Sequence, residues 1–122
     1  MLIPFLVAKI HRATITGSDI NYEGSIAIDE DIMEKANLRV FQQVDVYNIN
    51  TGARFSTYVL PWPGGSKGIV VNGAAARCVQ PGDKVIIAAY ALIDEKELNS
   101  LNAVIVTMAD GNEIERITNT KL

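Results

Sequence analysis

Val44-Asp45-Val46-Tyr47-Asn48-Ile49 and Arg54-Phe55-Ser56-Thr57-Tyr58-Val59-Leu60 flank the turn Asn50-Thr51-Gly52, and this stretch decides the fold class. Apolar and polar residues alternate on both sides of a glycine-containing turn, which predicts a β-hairpin with half-buried strands. Period two puts Arg54, Ser56 and Tyr58 on one face of the second strand. Phe55, Thr57 and Val59 take the other face. Arg54 and Tyr58 are therefore expected to point into a common space.

The rest of the chain repeats the theme. Phe5 to Thr16 reads as a strand, with Val7, Lys9, His11 and Ala13 on one face and Leu6, Ala8, Ile10 and Arg12 on the other. Gly17-Ser18-Asp19 reads as a turn and Ile26-Ala27-Ile28 as a short buried strand. Asp29 to Ala36 is the better helical candidate. Asp29 can cap it, Glu30 and Asp31 suit its positive end, and Asn37 can end it in the left-handed conformation. Pro61 to Ser66 reads as a loop anchored by Trp62, followed by a short strand Ile69-Val70-Val71. Ala74-Ala75-Ala76 then starts a tight turn after Asn72-Gly73, with free backbone N–H groups suited to an anion. Gln80 to Asp83 is a turn into the apolar strand Lys84–Leu92. Asp94 and Glu97 resemble a capping box over a very short helix. Ala103–Met108 and Glu113–Thr118 form a second hairpin around Asp110-Gly111-Asn112. Short strands at close spacing with little helix predict a small, mainly β barrel with one or two short helices.

Composition narrows the function. A chain of 122 residues, 48% hydrophobic and 20% charged, fits a single domain with its own core. A net charge of −3 without a basic stripe argues against nucleic acid as a partner. The single cysteine, Cys78, excludes an internal disulfide and reads as a small buried apolar residue. The apolar run Leu2–Ala8 is too short for a membrane span and lacks the marks of a signal peptide, so no membrane partner and a cytoplasmic location are expected. No dinucleotide fingerprint, phosphate loop, nucleophile elbow or metal-ligand cluster is present, and His11 is the only histidine. A Cys78–His11 nucleophile pair would need a geometry that nothing in the spacing supports.

Tyr22-Glu23-Gly24-Ser25 is the one stretch with chemistry of its own. A serine hydroxyl that reaches back to the preceding carbonyl carbon can shift the acyl group and break the chain. Gly24, lacking a Cβ, is expected to supply the strained backbone this requires. Ser25 would then become a new N-terminus convertible into a pyruvoyl group.

Several blocks carry a closer identification. Lys9-Ile10-His11-Arg12, Tyr22-Glu23-Gly24-Ser25, Ala27-Ile28-Asp29, Asn50 through Tyr58, Val71-Asn72-Gly73-Ala74-Ala75-Ala76 and Gly82 through Ala88 resemble the signature segments of bacterial L-aspartate 1-decarboxylase. The resemblance runs from about Lys9 to Tyr90 and weakens beyond it.

It implies a double-psi β-barrel that assembles as a homotetramer with interfacial active sites. It implies self-cleavage between Gly24 and Ser25 into residues 1–24 and 25–122, the latter beginning with pyruvoyl, with a maturation factor as a possible partner. The implied reaction converts L-aspartate to β-alanine and CO2 through a Schiff base, supplying pantothenate and coenzyme A. A built-in carbonyl replaces pyridoxal phosphate as electron sink, without a metal.

By resemblance and chemistry together, Ser25 supplies the pyruvoyl group and Tyr58 is the proton donor, its phenol being protonated near neutrality. Arg54 offers a bidentate fork to a substrate carboxylate, and Lys9 adds positive charge. Thr57 and the backbone of Gly73, Ala74 and Ala75 line the pocket, while Asn72 organises its turn. His11 and Tyr22 support from behind. Strict alternation sets Thr57 opposite Arg54 and Tyr58, a conflict that a bulge or an interfacial site would resolve. The rival reading is an uncleaved barrel serving as a binding or scaffold module, with a Cys78-dependent hydrolase a distant third.

Overall fold

The computed structural model describes residues 1–122. In chain order they form β1 (Leu2–Thr14), β2 (Gly17–Asp19), β3 (Ser25–Asp29), α1 (Glu30–Ala36), β4 (Gln43–Asn48), β5 (Arg54–Trp62), β6 (Ile69–Asn72), β7 (Lys84–Asp94), β8 (Asn102–Ala109) and β9 (Glu113–Lys121). Short 3-10 turns cover Gly73–Cys78, Glu95–Ser100 and Asp110–Asn112. The strands make one sheet in the order β2-β6-β3-β5-β4-β7-β1-β8-β9, the wall of a small β-barrel. Three neighbouring pairs, β2–β6, β3–β5 and β1–β8, run parallel. Parallel neighbours cannot be joined by tight turns, so the chain must cross over the barrel, as a double-psi barrel requires and a simple meander does not.

A cluster of 21 buried side chains fills the interior. Ile10, Ile26, Ile28, Val46, Val59, Ile69, Val71 and Ile87 are each at most 1% exposed. Each such side chain contributes on the order of 1.5–3 kcal/mol by leaving water. The two hairpins lie where the alternation predicts them. On β4, Val44, Val46 and Asn48 are buried while Gln43, Asp45 and Tyr47 face outward. α1 touches β1, β3, β5 and β8, strands from distant parts of the sheet, and so closes one mouth of the barrel. Its ends match the sequence. The Asp29 carboxylate accepts the Asp31 N–H at 2.7 Å, and Asn37 ends the helix at φ 59°. No helix is long and apolar enough to cross a membrane.

Five local expectations need correction. β1 does not alternate to its end: Arg12 adopts φ 65° and the register with β7 slips between His11 and Ala13. This bulge leaves Arg12 exposed and turns Ala13 into the core beside Ala8 and Ile10. Gly17-Ser18-Asp19 is a strand and not a turn, because β6 offers it a parallel partner. Cys78 is only half-buried, at the end of a 3-10 turn. Trp62 belongs to the end of β5, 40% exposed, with its indole lying against Gly68. Asp94 caps its turn by accepting the Lys96 N–H, but Glu97 returns no bond, so no capping box forms.

Candidate active site

Ser25 is the first residue of β3, lies opposite Asn72 on β6, and is 1% exposed. Its Oγ donates to the Glu23 carbonyl at 3.4 Å, which folds the hydroxyl back across the Gly24 peptide. A bond of that length is at the weak limit, and it leaves Oγ little hindered from moving to the Gly24 carbonyl carbon. The backbone strain expected at Gly24 is not there: its φ lies outside the left-handed region, and a Cβ would meet only the Asn72 carbonyl at an ordinary 3.9 Å.

The constrained glycine is Gly73. It holds φ 75°, and a Cβ on it would fall 2.5 Å from Gly24 Cα and 2.6 Å from Gly24 N. The two backbones are packed against each other with no room for a methyl group between them.

The other side of Ser25 is β5. β3 and β5 run parallel with Ile26 level with Val59, so Tyr58 lies at the level of Ser25 and Thr57 one step before it. Tyr58 packs against Phe41, ring centres 6.0 Å apart and tilted by 47°. Phe41, Gln43, Ser56, Thr57 and Tyr58 line one open concavity. The hairpin register is unbroken here, with Thr57 opposite Val44 and Tyr58 opposite Gln43. No bulge re-aims Thr57. Asn72, Gly73, Ala74 and Ala75 turn the corner from β6 into the 3-10 turn, Gly73 buried beneath Gly24 and Ala74 exposed. Asn72 stands at the head of that turn, but its side chain makes no capping bond. Tyr22 is exposed, and its carbonyl lies near Gly73.

The basic residues lie farther along the sheet, with Arg54 on the same face of β5 as Ser56 and Tyr58. Pairing across β5, β4, β7 and β1 puts Arg54, Tyr47, Ile86 and His11 in one row, and Ser56, Asp45, Ala88 and Lys9 in the next. Arg54 is four residues from Tyr58 along β5, about 13 Å at the usual strand rise, and its guanidinium lies 4.5 Å above the Tyr47 ring. Lys9 and His11 sit on β1, three strands from β5. One copy of the chain therefore gathers Gly24, Ser25, Thr57, Tyr58, Asn72 and Gly73 around the Ser25 end of β3, with Arg54 four residues further back on β5 and Lys9 and His11 three strands across the sheet. The His11 imidazole is held below its usual pKa by burial first, and then by Lys9, Arg12 and Arg116. Its Nδ1 is buried without a partner. Sequence reasoning missed Tyr47, Phe41 and Tyr90. Tyr47 was within reach, since the hairpin pairing sets it opposite Arg54.

Comparison with known proteins identifies the family. The family model described as aspartate decarboxylase matches residues 1–115. Proteins named aspartate 1-decarboxylase are similar along nearly the whole chain. That of Phenylobacterium zucineum (strain HLK1) is 51% identical over 95% of this chain and 98% of its own. That of Aliarcobacter butzleri (strain RM4018) is 52% identical over 97% and 93%. A third, from Hydrogenobaculum sp. (strain Y04AAS1), is 53% identical over 89% and 86%. A small β-barrel with such relatives is an enzyme of the lyase class, a decarboxylase. The chain belongs to the aspartate decarboxylase family, and its reaction is the decarboxylation of aspartate.

Proposed function

We propose that the chain cuts itself between Gly24 and Ser25, converts Ser25 into a pyruvoyl group, and uses that group to turn L-aspartate into β-alanine and CO2. The observation that carries this reading is the buried Ser25 hydroxyl turned back over the Gly24 peptide, with Gly73 packed against Gly24 and Tyr58 level with Ser25. In the cut, Ser25 Oγ attacks the Gly24 carbonyl carbon and its nitrogen leaves. The resulting ester is opened by loss of the Ser25 α-proton, which breaks the Cβ–Oγ bond, leaves Gly24 as a carboxylate that keeps Oγ, and leaves dehydroalanine at position 25. Its imine tautomer takes up one water and releases ammonia to give the ketone. The pyruvoyl group supplies the electron sink, holding the substrate amine as a Schiff base while CO2 departs.

The remaining work falls to side chains. Tyr58 delivers a proton to the former α-carbon. Arg54 grips the substrate side-chain carboxylate through its planar fork, with Lys9 adding charge. Thr57 and the backbone of Gly73, Ala74 and Ala75 line the site. Because Lys9, His11 and Arg54 lie away from Ser25 within one copy, the complete site is built between copies of a homotetramer, and this also removes the conflict over Thr57. No metal and no pyridoxal phosphate take part, and a maturation factor can assist the cut. A cytoplasmic enzyme supplying β-alanine to pantothenate and coenzyme A synthesis follows from the product.

Intact-mass measurement of the purified protein tests the reading. Two species are expected, residues 1–24 and a 25–122 species lighter by one ammonia than a serine-terminated chain. A single full-length mass after prolonged incubation, with or without cell extract, overturns it.

A further inference from the structure

Arg54 does not stand alone on the outer face. The Tyr47 ring lies directly beneath its guanidinium, 4.5 Å away, because the two residues pair across β4 and β5. Tyr47 is fixed in turn: its hydroxyl meets that of Tyr90 at 3.0 Å. Tyr90 comes from β7, the strand on the other side of β4. The register places Ala88, a small residue only 1% exposed, on the outward row between them. A larger side chain there would stand in the way of the phenol–phenol contact. Three neighbouring strands thus contribute to one stack, guanidinium on ring and phenol on phenol.

We infer that Tyr47, held by Tyr90, is a positioning residue that orients the Arg54 fork for a dicarboxylic substrate and so helps set the preference for aspartate. Arg54 makes no salt bridge in the chain, its partner being a ring face, so the edges of the guanidinium stay free for a carboxylate. Arginine carries a large rotamer entropy, and a ring that pre-sets its plane lowers the cost of binding. Stacking of this kind contributes about 0.5–1 kcal/mol in the open and about 2 kcal/mol when water is excluded. The Tyr47 phenol is pushed up to about 12 by the Tyr90 hydrogen bond first, then by burial and by Asp45, against the opposing pull of Arg54. Tyr47 therefore stays neutral throughout the physiological range.

This inference rests on Arg54 binding the substrate carboxylate, and its test separates the two. Tyr47→Leu, Tyr47→Trp and Tyr90→Phe are compared with the unaltered protein in aspartate kinetics. Succinate binding is measured by calorimetry alongside, since an inert dicarboxylate reads the fork without turnover. Tyr47→Leu is expected to raise both the KM for aspartate and the Kd for succinate about fivefold to tenfold with kcat little changed. Tyr47→Trp, which keeps an aromatic face, should restore both to within about twofold, and Tyr90→Phe should raise them about twofold to threefold. Unchanged KM and Kd in both Tyr47→Leu and Tyr90→Phe overturn the inference, as does a fall in kcat at constant KM. If Arg54→Lys leaves succinate binding intact, the assignment of Arg54 fails and the Tyr47 inference falls with it. If the unaltered protein binds succinate but carries no pyruvoyl group, the proposed chemistry fails while the succinate series still decides the role of Tyr47.

Discussion

β3 is five residues long and buried throughout, yet its two ends are built in opposite ways. At its last residue the Asp29 carboxylate accepts the N–H groups of Asp31 at 2.7 Å, Gly65 at 3.2 Å and Lys67 at 2.7 Å. At its first residue the Ser25 hydroxyl has one contact, to a carbonyl at 3.4 Å. Both residues are 1% exposed, so the difference lies in partners and not in burial. A buried carboxylate must be surrounded by donors to remain charged. A buried hydroxyl that is to attack its own chain must stay loosely held. One end of the strand anchors the barrel, and the other is held loosely, as the proposed cut requires.

The largest expected effect is at the reactive end. Ser25→Ala should abolish both the cut and β-alanine formation, while the circular dichroism spectrum and melting temperature stay close to those of the unaltered protein. Any cleavage of this variant on a denaturing gel would break the contrast between the two ends. Gly73→Ala comes next, because a methyl group at φ 75° would have to occupy space now held by Gly24 Cα and N. It should slow cleavage by about a hundredfold or more, since displacing reacting atoms by about 1 Å can cost that much. Gly24→Ala is the control, since its methyl group meets only the Asn72 carbonyl at 3.9 Å. It should fold normally, as read by circular dichroism. Equal cleavage rates in Gly73→Ala and the unaltered protein would show that the close packing is incidental. Arg54→Lys follows with a smaller and different signature: complete cleavage, but kcat/KM for aspartate lower by about one to two orders of magnitude. An ammonium cannot reproduce two parallel hydrogen bonds.

Much of this was readable before any coordinates. Alternation in 44–60 marks both strands of the first hairpin, and the caps Asp29 and Asn37 mark both ends of α1. Such signals are local, carried by residues within a few positions of one another. What escaped the sequence was set by distant partners. Gly17–Asp19 looks like a turn until β6 lies beside it, and the bulge at Arg12 is visible only through its register with β7. The site divides the same way. Gly24-Ser25 stands out as a dipeptide, but the need for glycine at Gly73 comes from a contact between residues 49 positions apart. Tyr90 is an ordinary strand tyrosine until Tyr47 is found against it.

The anchoring end offers the smallest effect and the sharpest sign. Burial alone would raise the Asp29 pKa, but the N–H groups of Lys67, Asp31, Gly65 and Ile32 outweigh it, and the carboxyl is held below its usual value. A lowered pKa means that the charged form contributes stability above about pH 4, the unfolded value. That contribution is lost as the pH falls through the lower folded value. Asp29→Asn removes the charge and one good acceptor, so it should cost about 2–4 kcal/mol at neutral pH, on the scale of a charged hydrogen-bonded cap. In a domain of this size that is roughly a 10 °C drop in melting temperature. The variant should also lose part of the acid-induced fall seen in the unaltered protein, so the two curves of melting temperature against pH converge toward low pH. Parallel curves would mean that Asp29 is not what the acid limb titrates. Complete cleavage of Asp29→Asn at low temperature would further show that anchoring and reacting are separable along a strand of five residues.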